Sequence, residues 1–153
     1  MEKRFLVRMA GLLFIVVTMF TLVACNSEET VTYQTEEQGI SITLTYTAED
    51  DKVVKQVSES EIEYRALGVT TKEEAEELLA PLVEDYQNID GLTHEIEYQD
   101  DKVIEKVTVD YNEADAQEIA ELEGSMFEGD PSEGISLEKS IELIESQGFE
   151  EVE

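Results

Sequence analysis

Cysteine occurs once in the 153-residue sequence, histidine once and tryptophan not at all. A single cysteine excludes an internal disulfide framework and a cysteine-rich zinc site. Basic residues are also scarce, with 10 Lys+Arg against 38 Asp+Glu and a formal net charge of −28. Nucleic-acid binding needs a Lys/Arg footprint for the phosphates, and so few basic residues among so many acids argue strongly against it. The same balance argues against simple attraction to anionic lipid headgroups. Neither a Gly-x-Gly-x-x-Gly turn nor a P-loop is present, and no Gly-x-Ser-x-Gly elbow singles out a nucleophile. The sequence calls for no cofactor.

What basic charge there is opens the chain. Lys3, Arg4 and Arg8 precede a nearly unbroken apolar run from Met9 to Val23, which ends in Leu22-Val23-Ala24-Cys25. A basic start, a short apolar stretch and small residues before a cut site define a secretory signal peptide. The run sits at the lower limit for a spanning helix, which needs roughly 17–25 residues. Cleavage is therefore expected over a retained anchor. Leu-Val-Ala-Cys resembles the lipobox of bacterial lipoproteins. That resemblance implies cleavage after residue 24, a diacylglycerol thioether on Cys25, and palmitate-type acyl chains holding the mature N-terminus in the membrane. Acylation would consume the one thiol, leaving none for catalysis, metal or redox chemistry. The expected organisation is a cleaved signal over 1–24, a lipidated N-terminus and short linker over 25–29, and one domain over 30–153.

The mature part is still more acidic. The first 24 residues hold three basic side chains and one acidic, so the remaining 129 carry 37 acidic against 7 basic, a net −30. High charge is one mark of disorder, but apolar periodicity persists through it. Ile40, Ile42, Leu44 and Tyr46 alternate with Ser41, Thr43, Thr45 and Thr47, which predicts a half-buried strand. Thr30–Thr35 reads as a weaker strand before it. Lys52–Tyr64 reads as a return strand whose parity slips, predicting a bulge near Ser58. Thr70 to Glu73 and Thr71 to Glu74 offer two overlapping capping boxes. They open a helix with the stripe Ala75, Leu78, Leu79, Leu82, Val83 and Tyr86, kinked at Pro81 and ended by Asn88–Gly91. Leu92–Gln99 and Lys102–Tyr111 read as a second strand pair, with Leu92, His94, Ile96 and Tyr98 on one face. A short helix is expected within Asn112–Glu123, a loop over Glu123–Gly134, and a last helix over Ser136–Gln147 stopped by Gly148.

Asp50–Val57 and Asp100–Val107 match at five of eight positions. Each closes a hairpin that precedes a helix. The predicted fold class is α+β: an antiparallel sheet built from two ββα-like units, with helices packed on one face.

The layout resembles the YehR-like bacterial lipoproteins, a family built on a domain of unknown function. The resembling residues are Leu22–Cys25, the Ile40–Tyr46 strand, Asp51-Lys52-Val53, Thr70-Thr71-Lys72-Glu73, Pro81-Leu82, Tyr86, Asn88-Ile89, Gly91, Gly134-Ile135, Gly148-Phe149 and Glu151-Val152. The resemblance spans the mature chain. It implies a small α+β lipoprotein and brings no reaction or ligand with it.

Few residues carry chemistry. His94 is a possible general base, but its place between Leu92 and Ile96 favours a structural role on the packed side or edge. Carboxylate pairs are too numerous for any one to be diagnostic. Glu59, Glu61 and Glu63 share one strand face, and Glu95 and Glu97 share another. If those strands were neighbours, a carboxylate ladder suited to Ca²⁺ or Mg²⁺ would form. A solvated acidic face is favoured over that. Six tyrosines fall mostly on apolar parities and read as core with the hydroxyl at the rim. These readings favour a non-enzymatic, membrane-tethered binding module on the outer side of the cell membrane. Its envelope partner would be cationic or neutral before anionic. The alternatives are an envelope hydrolase using His94 or a carboxylate, and an acidic domain that binds divalent cations through Glu59, Glu61 and Glu63.

Overall fold

The computed structural model describes residues 27–122 and 133–152. Leu22, Val23, Ala24 and Cys25, with the rest of the expected signal and acylation site, lie outside the described residues, as do residues 123–132 of the expected loop. Among the described residues no helix is long and apolar enough to cross a membrane.

Gln38 and Gly39 set the first hairpin. Both have positive φ, 50° and 87°, the mirror-image turn whose twist matches that of the strands it joins. It pairs β1 (Glu28–Glu37) with β2 (Ile40–Glu49), Glu37 opposite Ile40. Strand β1 thus runs beyond the expected Thr30–Thr35. After Asp50-Asp51, β3 (Lys52–Glu63) returns along β2. Its irregularity lies earlier than Ser58: Ala48 pairs with Val53 and Thr47 with Lys55, leaving Val54 as the extra residue. The Val54 carbonyl accepts the Tyr111 N–H at 2.9 Å. The bulge falls where the neighbouring strand ends and can satisfy the group left over.

Helix α1 (Lys72–Asp85) starts at Thr71, whose hydroxyl accepts the Glu74 N–H while the Glu74 carboxylate accepts the Thr71 N–H. Only the second of the two expected boxes forms. Thr70 donates its own N–H and hydroxyl to the same carboxylate, which lies below its ordinary pKa chiefly for that reason. Then come β4 (Leu92–Tyr98), β5 (Lys102–Asp110), the short α2 (Ala116–Ala120), α3 (Leu137–Ser146) and β6 (Glu150–Glu151), the last unforeseen.

The six strands form one antiparallel sheet in the order β4-β5-β3-β2-β1-β6, making the fold α+β. Helices cover one face. Leu137 and Ile144 of α3, with Phe149, close over Tyr33, Leu44, Tyr46 and Val53. Ala75 and Leu79 of α1 pack with Val103, Ile96 and Tyr98 at the other end, and Ile119 of α2 packs with Val109 and Leu92. Helix α3 is tied to the β2–β3 turn: the Asp51 carbonyl accepts the Leu137 N–H at 2.8 Å and its carboxylate accepts the Glu138 N–H at 2.9 Å.

Candidate functional site

Past the Val54 bulge, the parity of β3 turns Gln56, Ser58 and Ser60 toward the helices. The register shows this: Ser58 pairs with Leu44 and Val107, and Ser60 with Ile42 and Glu105. Three polar residues thus sit beside Ile42, Leu44 and Val107 on this face. Helix α1 meets the sheet near its β4 edge and does not lie down over this row. A groove of about 630 Å³ is left between them. Its walls include Leu78, Leu82, Ile42, Val107 and, from α2, Ile119, while Gln56, Ser58, Ser60 and Glu105, with Tyr86 and Tyr111, supply its polar groups. Leu78, expected in the core stripe, is half-exposed on the wall of this groove. The volume falls in the range of small-molecule sites, roughly 300–1,000 Å³.

The polar groups are held in place. Tyr111 donates its hydroxyl to Gln56 Oε1 at 2.9 Å, and burial pushes the Tyr111 pKa well up, so it stays a donor. Ser60 is buried. His94 Nε2 donates to Glu105 Oε1 at 2.8 Å, their side chains only 7% and 16% exposed. The Tyr86 ring meets the imidazole edge-on, centroids 5.0 Å apart at 85°. His94 therefore faces the packed side, fixed by a carboxylate and an aromatic ring. Ser58 and His94 lie in one row across the sheet, both paired with Val107. With β5 between their strands, their backbones stand about 10 Å apart, too far for a direct serine–histidine hydrogen bond.

The carboxylate ladder, which required β3 and β4 to be neighbours, does not form. Strand β5 lies between β3 and β4 and interleaves lysines among the acids. Lys106 donates to Glu59 at 2.7 Å, Lys102 to Glu61 at 2.5 Å, and Glu63 pairs with Arg65. Each contact leaves these side chains solvated, as suits an outer face. Among the described residues no group of three or more His, Cys, Asp or Glu is arranged to hold a metal ion.

The groove residues Gln56, Ser58, Ser60 and Glu105 were not singled out by the sequence reading. The parity slip in β3 was the available signal. Set at Val54 instead of Ser58, it puts the serines on the packed side and the glutamates outside.

A small α+β domain with helices on one face of an antiparallel sheet, and a groove between helix and sheet, is the class this structure defines. The chain belongs to the family described as protein of unknown function (DUF1307), which it matches over residues 29–150. It is 43% identical over 143 residues to the uncharacterized lipoprotein Lmo0207 of Listeria monocytogenes, covering 93% of this chain and 94% of that protein. It is 33% identical over 138 residues to the uncharacterized lipoprotein YehR of Escherichia coli, covering 89% and 90%. The NMR structure of YehR superposes with a TM-score of 0.72, spanning 83% of this chain and 92% of that one. An NMR structure of a Streptococcus pneumoniae protein, 16% identical, shares the fold with a TM-score of 0.57 over 83% of this chain and 86% of that one.

Proposed function

We propose that this protein is a lipid-anchored binding module of the bacterial cell envelope. Residues 1–24 are removed on export. Cys25 becomes the acylated N-terminus, 25–29 form a short linker, and 30–153 form one domain on the extracytoplasmic side. Leu22–Cys25 and the lipoprotein names of its relatives support the anchor. The orders β2-β3-α1 and β4-β5-α2 we read as two ββα units side by side. Two acyl chains on one residue suffice for stable membrane attachment, where one is marginal.

The groove carries the binding part: apolar walls around a few converging polar groups are the common form of a ligand site. A photoreactive residue at Leu78, compared with one at Thr43 on the outer face, tests it in living cells. Conjugates formed from position 78 and not from 43 support the reading, and conjugates from 43 alone overturn it. For the anchor, Cys25→Ser abolishes labelling by fatty-acid analogues, and labelling that persists refutes the processing. The His94–Glu105 hydrogen bond favours a second reading, an envelope hydrolase. Full biological activity in a His94→Ala variant removes it.

A further inference from the structure

We propose that the groove takes a small amphiphile with an apolar tail and a cationic, N–H-donating head, its head at Glu105. This rests on the binding reading above and adds the chemistry of the ligand. Three observations combine. First, Glu105 is the only charged residue among the described residues that line the groove, which therefore has an acid and no base. An anionic head would enter without a partner and against the field of a mature chain with net charge −30. Second, the carboxylate is half used. Oε1 accepts from His94, while Oε2 accepts no hydrogen bond among the described residues. His94, fixed in turn against Tyr86, holds the carboxylate in one orientation. Third, the polar groups gather in one place. Ser60 stands directly opposite Glu105 across the β3–β5 pair, with Ser58 two residues along. Leu78, Leu82, Ile42 and Val107 supply an apolar surface beside them. A tail on that surface brings an ammonium to the carboxylate, with serine hydroxyls as further acceptors.

The test uses the full chain in phosphatidylcholine nanodiscs, followed by methyl NMR during titration with hexylammonium, hexanol or hexanoate. Hexylammonium is expected to shift the methyl signals of Leu78, Leu82 and Val107, and to bind about tenfold more tightly than hexanol. Hexanoate is expected to bind more weakly than hexanol. Glu105→Gln should abolish the preference for the amine over the alcohol, whereas Glu61→Gln on the outer face should leave it intact. Leu78→Ser, at a half-exposed position that tolerates change, should weaken binding of the amine and of the alcohol together. Equal affinity for amine and alcohol at the groove overturns the head-group inference and leaves the binding module standing. So does a preference that survives Glu105→Gln. Shifts confined to the acidic outer face overturn the site, and no methyl shift in the groove with any probe overturns the binding reading as well.

Discussion

The two ends of the helix-covered face are packed differently. Under α3 the core is closed: Leu44, Tyr46, Val53 and Ile144 are each no more than 2% exposed, and burial pushes the Tyr46 hydroxyl up to about 12. Under α1 the layer is open, with Ala75 fully buried but Leu78 half-exposed and polar side chains on the strands beneath. The same sheet thus has one end that is closed and one where a small core of Tyr64, Ala75 and Val103 lies beside an open groove. The difference starts on the strands. Opposite α3 the face carries Tyr33, Leu44, Tyr46 and Ala48, and opposite the groove it carries Gln56, Ser58, Ser60 and Glu105. A helix gains nothing by pressing apolar side chains onto that row, because the serines would lose solvent without gaining partners.

Substitutions on either side should break this contrast unequally. Ile144→Ala, in the closed end, is expected to cost about 2–5 kcal/mol in chemical denaturation, whereas Leu78→Ala should cost about 1 kcal/mol or less. Equal losses would mean that the open end is packed as tightly as the closed one. Gly91→Ala, where the chain enters β4, comes next. Gly91 has φ of 75°, and an added Cβ would lie 2.5 Å from the Ala114 nitrogen and 2.7 Å from the Asp110 carbonyl oxygen. Strain of about 1–3 kcal/mol is expected, read as a lowered Tm. It should fall on the groove end and leave amide exchange in α3 unchanged.

The tie between Asp51 and α3 gives a pH-dependent test of the closed end. Its carboxyl pKa is lowered chiefly by the Glu138 N–H, so the folded state binds this proton less readily than the unfolded one. The stabilisation is present above the unfolded carboxylate range and is lost as pH falls through the lowered folded value. The Tm difference between wild type and Asp51→Asn should accordingly be largest near neutrality and vanish in strong acid. A difference that stays constant with pH would deny the carboxylate that role. Smallest of all is Lys106→Ala on the outer face. Its pairing with Glu59 is solvated, so the smallest loss of stability in this series is expected, shrinking further in salt.

Much of the fold was legible because it is written locally. The Ile40–Tyr46 alternation, the Thr71–Glu74 box and the Gly148 stop each act within a few residues, and each stands where the residue pattern put it. Strand neighbours are not local. Glu59, Glu61 and Glu63 were rightly placed on one face, yet nothing near them in the chain tells that β5 comes between them and Glu95. Strand β6 has two exposed glutamates and no alternation to detect. The groove was hidden for a related reason. Leu78 lies in a faultless helical stripe, and only the tertiary position of α1 decides that part of that stripe stays uncovered.

The strand edges have a consequence for life at a surface. Strand β6 covers β1 only opposite Tyr33 and Gln34, and the ends of β1 carry Glu28, Glu29, Glu36 and Glu37. At the opposite edge, β4 presents Glu95 and Glu97. Bare strand edges invite pairing with other chains, and like charges along them prevent it. Molecules confined by acyl anchors to a membrane plane meet edge to edge far more often than in solution. In a layer of copies anchored as proposed, the glutamates that look redundant in one copy would keep neighbours from zipping into a continuous sheet.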